Sequence, residues 1–192
     1  MNWQLPYPSG RQPVLGRNVV STSQPLAAQA GAAVFERGGN AIDAAIATAI
    51  TLTVVEPTMN GIGGDGFWLI RAPDGKVHAI EACGPAGSKA TLKHYHDKGY
   101  DKVPVRGIDA AATVAGAIGG WRAALDIAQA LGGKIPLADL LHDAIHRARD
   151  GYHVSASESR YPAKLKDDLL DAPNFEKTFF PGGKPPEQGA LK

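Results

Sequence analysis

The sequence holds one cysteine, Cys83, so no disulfide can form within the chain. That suits a reducing compartment without requiring one. Charge of either sign is not in excess: 20 Lys and Arg stand against 19 Asp and Glu, a formal net charge of +1. No basic stripe interrupts this balance, so nothing points to nucleic acid or to an anionic membrane surface. Long apolar runs are also missing. The longest, Ala41 to Val55, is broken by Asp43, Thr48, Thr51 and Thr53. It is too short and too polar to cross a bilayer. The first residues, Met1-Asn2-Trp3-Gln4-Leu5-Pro6, lack the basic start and apolar stretch of a secretory signal. With Met1 as the native start, the expectation is a cytoplasmic protein with no membrane and no nucleic-acid partner.

The 192 residues suit one domain or a piece of a larger one. The 23 glycines and 14 prolines bunch in loops, with no internal repeat to explain them. Residues 1–17 are rich in Pro and Gly and are expected to form an extended arm, leaving 18–192 as the folded portion. On that arm, Trp3 is a candidate to pack against a partner. Asn18 to Thr22 is β-prone and reads as a short strand. Ser23 is expected to cap a helix over Leu26 to Arg37, stopped at Gly38-Gly39 by a left-handed glycine. Asn40 is expected to cap a second helix, Ala41 to about Val54, ended by Pro57.

A glycine-rich loop, Gly61-Ile62-Gly63-Gly64-Asp65-Gly66, then leads into an apolar strand, Phe67 to Arg71. Pro73-Asp74-Gly75 turns the chain, and Lys76 to Ala82 alternates polar and apolar residues as a returning strand. Helices are expected over Leu92–Asp97, Thr113–Leu131 and Pro136–Asp150, and one more from a Ser155 cap toward Leu170. The tail from Ala172 reads as loop without a closing element. The sum is an α+β arrangement with too few strands for a complete sheet. Open edges of that kind call for partner strands from another chain or segment.

Five stretches in order resemble the gamma-glutamyltranspeptidase family. They are Val20-Ser21-Thr22-Ser23-Gln24-Pro25-Leu26-Ala27, Gly38-Gly39-Asn40-Ala41-Ile42-Asp43-Ala44-Ala45, Val55-Glu56-Pro57 with the Gly61-to-Phe67 loop, Thr113-Val114-Ala115-Gly116, and Ala148-Arg149-Asp150-Gly151-Tyr152-His153-Val154. The likeness runs from about residue 18 to the end and covers the front of that family's large subunit. It implies an N-terminal-nucleophile hydrolase, an αββα four-layer sandwich cut from a self-processing precursor. It implies that a small-subunit chain or segment carries the threonine nucleophile, whose α-amine serves as base. The expected substrate is a small-molecule amide, the expected assembly a heterodimer or heterotetramer, and no metal or organic cofactor is implied. A related acylase acting on non-glutamyl amides, or a non-catalytic scaffold, is the alternative.

The family's glutamyl-specific members carry an arginine just after the hairpin that pairs with the substrate α-carboxylate. Aligned on Pro85, Glu81 occupies that position in Ile80-Glu81-Ala82-Cys83-Gly84-Pro85. A carboxylate there repels another carboxylate, so a preference for an amine or neutral group is expected unless Arg71 or Arg106 compensates. Glu81 is therefore the candidate for substrate selection, with Cys83 and Gly84 shaping the pocket. No residue of this chain matches the catalytic threonine.

Other patterns read as structure. The glycine loop is not a phosphate cradle, because a helix precedes it and a strand follows. His142 and His146 share a helix face beside Asp143, close to a zinc-protease string but with no third ligand, and read as a solvated face. His94 and His96 read as surface. Ser21, Thr22 and Ser23 lack a nucleophile elbow, and Trp68 and Trp121 read as core or subunit contacts.

Overall fold

The computed structural model describes residues 14–192. The expected arm falls mostly outside the described residues, as does Trp3. Among the described residues, helices cover one face of an antiparallel hairpin.

Helix α1 spans Pro25–Glu36 and α2 spans Ala41–Val55. They pack closely because the faces that meet are small. A Cβ at Gly31 would lie 2.2 Å from Thr48 Oγ1, so only hydrogen fits there. Gly38, at φ 83, provides the left-handed stop. Asn40 caps α2 as expected: its side chain accepts from the N–H groups of Ile42 and Asp43, and Asp43 answers by accepting from Asn40 N at 3.0 Å. The α1 cap differs from expectation. Gln24, not Ser23, accepts from the first free N–H groups, those of Leu26 and Ala27. Ser23 instead donates its hydroxyl to Glu56 Oε2 at 2.6 Å.

Helix α2 is the centre of the molecule. Ile42, Ala44, Ile46, Ala47 and Ile50 are all buried, and the core extends to Ala124, Leu125 and Ala128. Its threonines are compatible with burial because they bond within the helix. Thr48 donates to Ala44 O and Thr51 to Ala47 O, both at 2.8 Å.

Strands β1 (Gly66–Arg71) and β2 (Val77–Ala82) form the expected hairpin, with Phe67 opposite Glu81, Leu69 opposite Ala79 and Arg71 opposite Val77. Trp68, Ile70, Ile80 and Ala82 face inward toward α4 (Ala117–Ala130). The other face is bare: Phe67 is 72% and Leu69 79% exposed. The expected strand at 18–22 is not formed. Strand geometry is held by a neighbour's hydrogen bonds, and among the described residues no strand runs beside it.

Helix α3 (Leu92–Asp97) stands where expected, with Thr91 as its cap. Helix α4 starts at Ala117 rather than Thr113, because Thr113 bridges to Ala86 instead. The expected Pro136–Asp150 helix is two pieces, α5 (Leu137–Leu140) and α6 (His142–Asp150), with Pro136 just outside the first. Ser155 caps α7 (Ala156–Lys164), accepting from Glu158 N at 3.2 Å. That helix does not reach Leu170. Pro162 lies inside it, and α8 (Lys166–Leu169) follows a break at Leu165. The tail is more ordered than expected. It contains α9 (Phe175–Phe179) and closes against His153 through Leu191.

Candidate functional site

Three segments meet at the C-terminal end of β2. The first is the glycine loop, whose Gly64 carbonyl accepts from Gly116 N at 3.1 Å and Ala117 N at 3.0 Å. These are free donors at the start of α4, which has no side-chain cap, so the loop carbonyl does the capping. The second is the run after β2. Gly84 N donates to Val114 O and Val114 N donates to Pro85 O, each at 3.0 Å. The third is the 113–116 segment itself.

Glycines permit this crossing. A Cβ on Gly84 would sit 2.0 Å from Val114 O, and one on Gly116 would sit 2.1 Å from Ala82 O. The two backbones approach each other more closely than any side chain allows. Of the sequence candidates, Gly84 is therefore a contact point between two segments.

Glu81 and Cys83 stand beside each other just before Gly84 in the chain. Glu81 is exposed on the bare face of the hairpin. The Cys83 thiol, half-buried, donates to Glu81 Oε1 at 3.4 Å. The thiol is pushed above its ordinary range, first by desolvation, then by the hydrogen bond and charge of Glu81 and by the charge of Asp65. A thiol held protonated is a poor nucleophile. Asp65 also accepts a long bond, 3.5 Å, from Thr113 Oγ1. Asp65 and Glu81 thus bring two carboxylates to Cys83.

Neither arginine offsets them. Arg71 lies at the opposite end of the hairpin, four residues along β1 from the partner of Glu81 and about 13 Å away at strand rise. Arg106 is turned toward Asp168 at 3.5 Å.

A pocket of about 280 Å³ opens between the end of α2 and the start of α4, lined by Asn60, Asp65, Trp68 and Trp121 among others; it shares Asp65 with this place, but Glu81, Cys83 and Gly84 do not line it. Trp68 and Trp121 pack against the core, as expected of them. Asp65, Thr113 and Gly116 were not singled out as site residues in the sequence. The signal was there in two of the matched stretches, but which of them meet is a tertiary fact.

The remaining chemical candidates stay apart from this place. His146 pairs with Asp150 at 2.5 Å on an exposed face of α6, with His142 stacked at 6.5 Å. Among the described residues no three His, Cys, Asp or Glu side chains group as metal ligands, and no helix is long and apolar enough to cross a membrane. Among the described residues, no Ser, Thr or Cys side chain is hydrogen-bonded to a histidine ring; their bonds go to carboxylates, to each other or to backbone.

Comparison with known proteins places these observations. A family model described as gamma-glutamyltranspeptidase matches residues 27–192. An oxamate amidohydrolase proenzyme from Klebsiella pneumoniae is 46% identical over 166 residues, covering 86% of this chain and 31% of that protein. A crystal structure of Helicobacter pylori gamma-glutamyltranspeptidase matches with a TM-score of 0.82 at 32% identity, over 93% of this chain and 52% of that one. A cephalosporin acylase from Bacillus halodurans matches with a TM-score of 0.78 at 39% identity, over 96% of this chain and 36% of that one. The chain spans about a third of the length of the curated relatives it matches.

Proposed function

Since the chain belongs to the gamma-glutamyltranspeptidase family, we propose that it is the shell and pocket-rim part of a self-processing amidohydrolase whose substrates are small amides other than gamma-glutamyl compounds. The observation that carries the substrate half of this reading is the Glu81 carboxylate at the rim, backed by Asp65 and unopposed by Arg71 or Arg106. A substrate carboxylate at 5–6 Å from Glu81 meets about 0.8 kcal/mol of repulsion in open water and about 3 kcal/mol once the site is covered.

The reaction is acyl transfer. A threonine hydroxyl outside residues 1–192 attacks the amide carbonyl, its proton passing to the threonine's own α-amine. The carbon–nitrogen bond breaks, the amine leaves with that proton, and water then hydrolyses the acyl ester. What supports a nucleophile elsewhere is that the chain spans only about a third of the length of the proenzymes it matches. This chain contributes the close backbone crossing at Gly84, the charge at Glu81 and the inert thiol of Cys83.

The bare hairpin face supports an αββα sandwich. Phe67 and Leu69 each gain about 1.5–3 kcal/mol when covered, and a second sheet from the rest of the enzyme is the natural cover. In this reading residues 18–192 are one large-subunit portion, and the assembly a cytoplasmic heterodimer or heterotetramer.

A second substrate reading has its own support. The 46% identity to an oxamate amidohydrolase exceeds the 32% to the Helicobacter transpeptidase. Oxamate carries its carboxylate on the very carbonyl under attack, so it can sit deep with its charge away from the rim. One panel separates these readings: kcat/KM of the intact protein for a gamma-glutamyl anilide, oxamate and a neutral small amide, each with wild type and Glu81→Gln. The proposal expects the gamma-glutamyl compound to be the poorest and to gain roughly tenfold in the variant. Efficient wild-type turnover of the gamma-glutamyl anilide would end it.

A further inference from the structure

Away from the rim, one ionisable side chain lies deep with no part in the chemistry above. Glu158, in α7, is 1% exposed. Its Oε1 accepts from the Tyr152 hydroxyl at 2.8 Å and from Lys192 Nζ at 2.8 Å. Its Oε2 is buried with no hydrogen-bond partner. Carboxylates are almost never buried this far unless paired, because desolvation costs several kcal/mol.

Both partners belong to one short ribbon. Tyr152 N donates to Lys192 O and Lys192 N to Tyr152 O, each at 3.0 Å. Val154 N donates to Ala190 O and Gly189 N to Val154 O, each at 2.9 Å. The Tyr152 side chain is buried with Ala27 of α1 and Val55 of α2. Val55 runs straight into Glu56, which accepts from Ser23 and Asn60 at the base of the glycine loop. The Lys192 ammonium also lies 5.5 Å over the Phe179 ring.

We propose that Glu158 is an electrostatic latch, whose carboxylate holds the 189–192 segment on residues 152–154 and so docks the tail against the ends of α1 and α2. Helix α7 itself has no need of a carboxylate here, since its cap is supplied by Ser155. An apolar side chain would fill a site this dry at lower cost. A glutamate becomes favourable only when Lys192 arrives, so the ribbon and the ion pair form together. The phenol completes the latch. It is pushed well above its ordinary range, by burial first and then by the hydrogen bond and charge of Glu158, so it remains a donor at any working pH.

The test is amide hydrogen exchange at Tyr152, Val154 and Gly189 in the intact protein. Lys192→Met leaves the carboxylate buried with the phenol alone, and exchange at these amides is expected to rise roughly a hundredfold or more. Lys192→Arg keeps the protection. The double variant Glu158→Leu with Lys192→Met removes both charges and brings protection back to within about tenfold of wild type. If Lys192→Met does not yield folded protein, Tyr152→Phe removes one donor, keeps the ion pair, and is expected to raise exchange roughly tenfold. Unchanged exchange in Lys192→Met, or in Tyr152→Phe where that is the variant measured, overturns the latch. So does a double variant as unprotected as the single one.

Discussion

Replacing Gly84 with alanine drives a methyl into the backbone of the facing segment. The new Cβ would lie 2.0 Å from Val114 O and 2.8 Å from the Val114 Cβ. Carbon and oxygen do not approach within about 3 Å, so the 113–116 segment has to retreat by about 1 Å. Retreat strains the Gly84–Val114 and Val114–Pro85 hydrogen bonds, which are worth about 1 kcal/mol each, and overpacking adds about 1–3 kcal/mol. The sum is about 3–5 kcal/mol. For a domain of this size that lowers the melting temperature by about 6–20 °C. Thermal and urea unfolding of the intact protein give the measurement. Gly119 is the control: it lies in α4, and a Cβ there meets nothing within 4 Å. Gly119→Ala is expected to stabilise by about 0.5–1 kcal/mol through helix propensity alone. A Gly84→Ala protein within about 1 kcal/mol of wild type would refute the crossing as described.

Two titration experiments follow from the same structure. Cys83 is expected to react with iodoacetamide more slowly at pH 8 than free cysteine, and Glu81→Gln to speed that reaction; an unchanged rate in the variant removes Glu81 as a cause of the raised thiol. Tyr152 keeps its proton in the folded state past its ordinary value of 10.0, while the unfolded chain loses it there. The unfolded state therefore binds fewer protons above pH 10, and the contribution to stability, full below pH 10, falls as pH rises, by at most about 1.4 kcal/mol per unit. Tyr152→Phe is expected to show a shallower loss of stability between pH 10 and 11; an equal slope counts against a protected phenol.

Local rules made much of the fold legible. The Asn40 cap, the Gly38 stop, the turn at Pro73-Asp74-Gly75 and the alternation of β2 act over a few residues, and the structure agrees with each. The disagreements arise where a distant group takes over. Ser23 was the better cap by type, but Glu56, 33 residues on, takes its hydroxyl and Gln24 fills the vacancy. Thr113 to Gly116 was expected to open a helix, yet its β-branched Thr113 and Val114 pair with the run after β2, Val114 hydrogen-bonding Gly84 and Pro85. The 18–22 stretch has strand composition and no strand beside it among the described residues. In the tail, spacing could not announce the pairing of Lys192 with a glutamate 34 residues earlier. For the site, Glu81, Cys83 and Gly84 were readable as one stretch at the end of a strand. That Asp65 joins them across the glycine loop was not, because it depends on the loop carbonyl capping α4.

The chemistry depends on where the reactive group resides. Incubating the intact protein with an electrophilic amide-substrate analogue, such as a diazoketone, and mapping the adduct by peptide mass spectrometry locates it directly. The expected result is a single label on a threonine outside residues 1–192, with Cys83 unmodified. A stoichiometric, activity-abolishing label on Cys83 or on any hydroxyl within these residues contradicts the account.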